Sequence, residues 1–123
     1  MYKLPSLFLI TTLTMVFITC TPLEKQAYNT VIASKAFIDA EKRAHPECLS
    51  AKSTLCDNLT KATAAKDALI DAAEVYCSGP QFEAGGACQP PAKGTPAADQ
   101  ATIKLKAAIA AYNQTAKDVK GAL

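Results

Sequence analysis

Apolar residues recur at steps of three and four in three stretches of the chain, the spacing of an amphipathic helix. In the first, about 23–44, Ala27, Val31, Ser34 and Ile38 mark one face, and Tyr28, Ile32 and Phe37 widen it. An arc that wide predicts a helix packed against two neighbours. Asp39 and Arg43 stand at the i,i+4 spacing of a helical ion pair. His45-Pro46 ends the stretch, because the residue before a proline is pushed out of the helical region. In the second, about 54–76, the face reads Leu55, Leu59, Ala62, Leu69, Ala73 and Tyr76, with Ile70 beside it and Ser53 as N-cap. Ser78-Gly79-Pro80 then breaks the period. In the third, about 96–120, Ala98, Ala101, Leu105, Ala108, Tyr112, Thr115, Val119 and Ala122 form a heptad-like seam. Thr95 is placed to cap it, Pro96 suits the first helical position, and Gly121 closes it. Abundant alanine raises helix propensity throughout. The expected fold is all-α, a small antiparallel three-helix bundle.

Ahead of these helices, Met1-Tyr2-Lys3 gives a short cationic start, and Leu4 to Ile18 gives an apolar run interrupted by Thr11, Thr12 and Thr14. A membrane-spanning helix needs about 20 apolar residues, whereas an apolar run of about 7–15 after a cationic start is the export pattern. The run ends in Phe17-Ile18-Thr19-Cys20, which resembles the lipobox of bacterial lipoprotein signal peptides. That resemblance covers the first 20 residues only. It implies cleavage before Cys20, lipidation of its thiol, and anchorage in the cell envelope. The expected organisation is residues 1–19 as signal peptide, 20–22 as lipidated N-terminus and tether, and 23–123 as the helical domain. Thr21 stands where an aspartate would signal inner-membrane retention, which by the same analogy favours the outer membrane. An uncleaved signal anchor and ordinary secretion, into the periplasm or beyond, are the alternatives. All three put the domain outside the cytoplasm, where disulfides persist.

The chain has five cysteines, and setting Cys20 aside leaves Cys48, Cys56, Cys77 and Cys88. Four allow three pairings. Cys56 and Cys77 stand 21 positions apart on one predicted helix, about 31 Å at roughly 1.5 Å per residue. A disulfide needs Cα atoms within about 7 Å. Helix length therefore leaves Cys48–Cys56 and Cys77–Cys88, one at each end of the bundle. A Cys₄ zinc site would want ligands in close C-x₂₋₄-C pairs. The gaps of 7, 20 and 10 residues do not supply them, so neither a metal nor another cofactor is expected.

Formal net charge is +2, or about +1 once Lys3 leaves with the signal. This balance does not give the basic stripe of a nucleic-acid binder. Both methionines, Met1 and Met15, fall in the export segment, so the domain has no Met-rich surface. Phosphate-loop, dinucleotide, nucleophile-elbow and zinc-protease motifs are absent from the sequence, and Gly85-Gly86 runs into Ala-Cys rather than Lys-Ser/Thr. His45, the single histidine, reads as an exposed turn residue with no nucleophile named beside it. Asp67 and Asp71, with Glu74 nearby, read as a solvated acidic face next to Lys66. Asn58-Leu59-Thr60 and Asn113-Gln114-Thr115 match the glycosylation pattern but fall inside predicted helices.

The aperiodic stretch from Ser78 to Thr95 is 18 residues long, unusual in a small domain unless stapled or functional. Within it Gln81, Phe82 and Glu83 are the candidate binding residues. Phe82 either plugs the bundle end or is presented to a partner on a stiffened loop. A lipid on Cys20 would put this loop next to the membrane and Cys48–Cys56 at the far tip. The function expected is that of a non-enzymatic envelope lipoprotein, an interaction or structural module that meets a protein or the envelope surface. The alternative is a small inhibitor or immunity-type protein that blocks an exported enzyme or transfer machinery with the 78–95 loop.

Overall fold

Among the described residues, three helices form where the apolar period puts them. The computed structural model describes residues 22–77 and 88–123. Phe17-Ile18-Thr19-Cys20, Ser78-Gly79-Pro80, the loop residues Gln81, Phe82 and Glu83, and Gly85-Gly86 all lie outside the described residues. Helix α1 spans Pro22–Ala44, α2 spans Thr54–Tyr76 and α3 spans Pro96–Gly121, with a single 3₁₀ turn at Pro46–Leu49. No described helix is long and apolar enough to cross a membrane.

Side-chain caps set where α2 and α3 begin. Ser53 is extended, and its Oγ accepts the Cys56 amide at 3.1 Å. Thr95 does the same for the Ala98 amide at 3.2 Å, while its hydroxyl donates to the Ala92 carbonyl at 2.7 Å. Gly94, at φ 80°, takes the left-handed turn that brings the chain into this cap. Thr95→Ala would leave first-turn amides without their acceptor. It is expected to lower stability by about 1 kcal/mol in urea unfolding, with an unchanged far-UV spectrum.

Packing shows the alternation of directions. Ala27 and Val31, near the start of α1, share a buried cluster with Leu69, Ala73, Tyr76 and Cys77, at the end of α2. Ile38, further along α1, clusters instead with Leu59 and Ala62 near the start of α2 and Val119 near the end of α3. The bundle is therefore antiparallel, and Phe37 packs against both clusters. The contacts between α2 and α3 are the most extensive, and α1 touches α2 more than it touches α3. Alanines on the inner faces, among them Ala62, Ala73 and Ala101, let the backbones approach closely between the larger side chains. Ser34 is fully buried and donates its hydroxyl to the Val31 carbonyl at 2.8 Å, which satisfies the polar group inside the core.

Two faces differ from expectation. On α1 the arc is narrower: Tyr28 is 43% exposed and Ile32 51% exposed. The close α2–α3 pair leaves α1 a shallow seat, and the Ala27–Val31–Ser34–Ile38 stripe fills it. On α3 the buried residues are Ala101, Leu105, Ile109, Tyr112, Ala116 and Val119, five steps across 18 residues, or about 3.6 per step. Ala98, Ala108, Thr115 and Ala122 from the heptad reading are only half-buried. A straight helix keeps its own period, so a seven-residue repeat drifts off the core face. Gly121 is the last residue of α3 rather than a left-handed stop, and Ala122 caps it in the right-handed region.

The remaining links are at the surface. Asn58 Nδ2 donates to the Asp118 carbonyl at 3.2 Å, tying the start of α2 to the end of α3. Lys120 stands over the Phe37 ring at 5.4 Å. Ion pairs stand at His45 and Lys66, whereas Asp39–Arg43 does not close one.

Burial raises the Tyr112 phenol above its ordinary value of 10. The neutral form is favoured in the folded state, so its contribution is complete below pH 10 and is lost as pH rises past the folded-state value. Tyr112→Phe removes this group. Comparing urea midpoints at pH 8 and above pH 10 is expected to show a shallower alkaline loss in the variant than in the parent.

Candidate functional site

The two disulfides are part of the packing at both ends of the bundle. Cys48–Cys56 joins the 3₁₀ turn to the first turn of α2, with Cα atoms 5.1 Å apart. Cys77–Cys88 joins the end of α2 to the returning loop, with Cα atoms 4.4 Å apart. Cys56 and Cys77 are buried, and Cys48 and Cys88 pack against the two core clusters. The bonded sulfurs mark a domain that works outside the cytoplasm.

Each end also carries a concavity. At the Cys77–Cys88 end, Tyr76, Pro90, Pro91 and Gly94 border a small one of about 180 Å³. At the other end the turn between α1 and α2 borders a cleft of about 590 Å³, within the size range of small-ligand sites. Its apolar wall is built from the Cys48–Cys56 bridge, Pro46, Leu49, Leu59 and Ala64. Thr60 and Thr63 also line it, but their hydroxyls donate to the Cys56 and Leu59 carbonyls at 3.0 and 2.8 Å. Lys42, Arg43, His45 and Asp67 form the polar rim.

His45 differs from expectation: it is half-buried, and both ring nitrogens face carboxylates. Nε2 is 3.5 Å from Glu41 Oε2, one turn earlier in α1, and Nδ1 is 3.0 Å from Glu47 Oε1 in the 3₁₀ turn. A neutral imidazole donates through one nitrogen and an imidazolium through both. The Glu47 carboxyl is held below its ordinary range by its own backbone amide and then by His45. The trio therefore fastens the end of α1 to the turn. The two carboxylates reach different nitrogens, and no group of side chains among the described residues could hold a metal ion.

The Asp67 and Asp71 carboxylates border different concavities. Asp67 pairs with Lys66 at 3.2 Å and borders the cleft, whereas Asp71 borders a separate groove of about 250 Å³ with Val75 and Lys104. Asn58 and Asn113 lie inside α2 and α3.

Leu49 is the residue that periodicity did not single out. It is 94% exposed, at the lip of the cleft and next to the Cys48 bridge. Its signal in the sequence was a large apolar side chain in a short polar connection, closed on both sides by a local disulfide. Comparison with known proteins finds no matching family model, no matching curated protein and no matching solved structure.

Proposed function

We propose that this chain is a non-enzymatic envelope lipoprotein, anchored through lipid on Cys20, whose helical domain is an interaction module. The observation that carries the reading is Leu49, held almost fully in solvent on a disulfide-closed turn over an apolar cleft. A large apolar side chain placed in water costs free energy, and the Cys48–Cys56 bridge limits how far the turn can withdraw it. A stiff exposed apolar residue loses little entropy on meeting a partner. The cleft threonines are engaged with their own helix, which suits a binding surface.

With the anchor at Cys20, α1 runs away from the bilayer, α2 returns and α3 leaves again. The Cys77–Cys88 end then faces the membrane, and the cleft is presented at the distal tip. Mass spectrometry of the mature N-terminus tests the anchor: a diacylated or triacylated Cys20 is expected, and retention of residues 1–19 would refute it. Spin labels at Lys93 and Ala51 test the orientation, with stronger broadening by headgroup-bound relaxation agents expected at Lys93. Equal broadening at both sites would reject this arrangement.

The inhibitor reading keeps one observation in its favour. The loop bearing Gln81, Phe82 and Glu83 is bracketed by a disulfide whose first sulfur belongs to the buried Cys77. Gentle crosslinking separates the two: an inhibitor recovers one enzyme in a one-to-one complex, and an interaction module recovers envelope components.

A further inference from the structure

We infer that the cleft at the His45 end binds a small amphipathic anion, an acyl chain bearing a carboxylate. The inference deepens the reading of the tip as the contact surface, and it does not depend on the lipid at Cys20. It rests on how charge is distributed around the cleft. Three carboxylates lie at or near the rim: Glu41 and Glu47 each face a ring nitrogen of His45, and Asp67 pairs with Lys66. Lys42 and Arg43 border the same cleft, are exposed, and have no carboxylate within 4.0 Å among the described residues. Two cations at the rim, Lys42 and Arg43, are thus without a carboxylate partner of their own among the described residues. An Arg guanidinium offers a planar fork matched to a carboxylate, and Lys adds a second donor.

The rest of the cleft suits the chain of such a molecule. Its wall is disulfide sulfur, Leu59, Ala64 and Pro46, and the threonine donors are turned to their own backbone. A volume of about 590 Å³ gives room for such a molecule. An acyl chain lying along the wall would also give Leu49 the apolar neighbour it lacks.

The test is a titration of the isotope-labelled exported chain, held in phosphatidylcholine nanodiscs and followed by amide resonances. Sodium decanoate is expected to shift Leu49, Thr60 and Thr63 saturably, and decyltrimethylammonium to leave them in place. The double variant Lys42→Gln, Arg43→Gln changes only exposed side chains and is expected to weaken decanoate binding roughly tenfold or more, with an unchanged helical spectrum. Equal shifts by both surfactants, or undiminished decanoate binding in the double variant, would overturn the inference. So would shifts confined to Pro90–Asp99. If a Leu-Glu-Glu peptide moved these resonances and decanoate did not, the occupant would be a protein segment and the inference would fail. Shifts that track protein concentration alone would mark a second copy and would also refute it. A chain that binds decanoate without lipid on Cys20 would refute the anchor and leave this inference standing.

Discussion

Reducing both disulfides is expected to remove about 5 kcal/mol of stability and to melt most of the domain at 37 °C. Each bridge closes a short loop, with sequence separations of 8 and 11, and restricts the unfolded chain by about 2.5–3 kcal/mol. A domain of about 100 residues has a total stability of about 5–15 kcal/mol, so losing both bridges consumes a large part of it. The two bridges should not weigh equally. Breaking Cys77–Cys88 also disturbs a sulfur buried within the larger core cluster. Circular dichroism melts of the oxidised and fully reduced, alkylated chain measure the total, and the Cys→Ala pairs made separately apportion it. A reduced chain whose melting temperature fell by only a degree or two would show that helix packing alone carries the fold.

Leu69→Ala and Leu105→Ala are expected to cost about 3–4 kcal/mol each, the second large effect. Both side chains are 0% exposed and both sit in the cluster joining all three helices. Truncation removes the transfer free energy of the lost atoms and leaves a cavity that rigid neighbours fill only in part. Leu49→Ala is the control of the same chemistry: at 94% exposure it should change stability by less than about 0.5 kcal/mol. Urea unfolding of the three variants decides the matter, and similar costs for Leu49 and Leu69 would contradict the core assigned here.

The order of legibility follows the range of the interactions. Helix positions are short-range, and the caps at Ser53 and Thr95 and the proline at Pro96 mark the starts of α2 and α3 in the residues themselves. The observed bounds differ from expectation by one residue, at Pro22 and at Gly121. The disulfides could be derived because a helix is a ruler: the length of α2 keeps Cys56 from Cys77, and the structure has the remaining pairing. The widths of the apolar faces were not legible, because exposure of Tyr28 and Ile32 depends on how deeply α2 and α3 engage each other. The cleft was not legible for the same reason. It needs the last turn of α1, the 3₁₀ turn and the first turns of α2 brought side by side. The Glu41–His45 spacing of four was visible in the sequence, but Glu47 joins it only once the turn is 3₁₀. The loop residues Gln81, Phe82 and Glu83, singled out by composition, lie outside the described residues.

The unequal packing of the helices sets an order for partial opening. Because α1 has the lighter contacts while α2 and α3 grip each other, the smallest cooperative unit that can detach is α1 alone. In deuterated solvent its backbone protons should be replaced through such excursions well before those of α2 and α3, whose protection reports global unfolding. Helix α1 would thus act as a compliant spring, and the other two as the rigid frame against which it recoils.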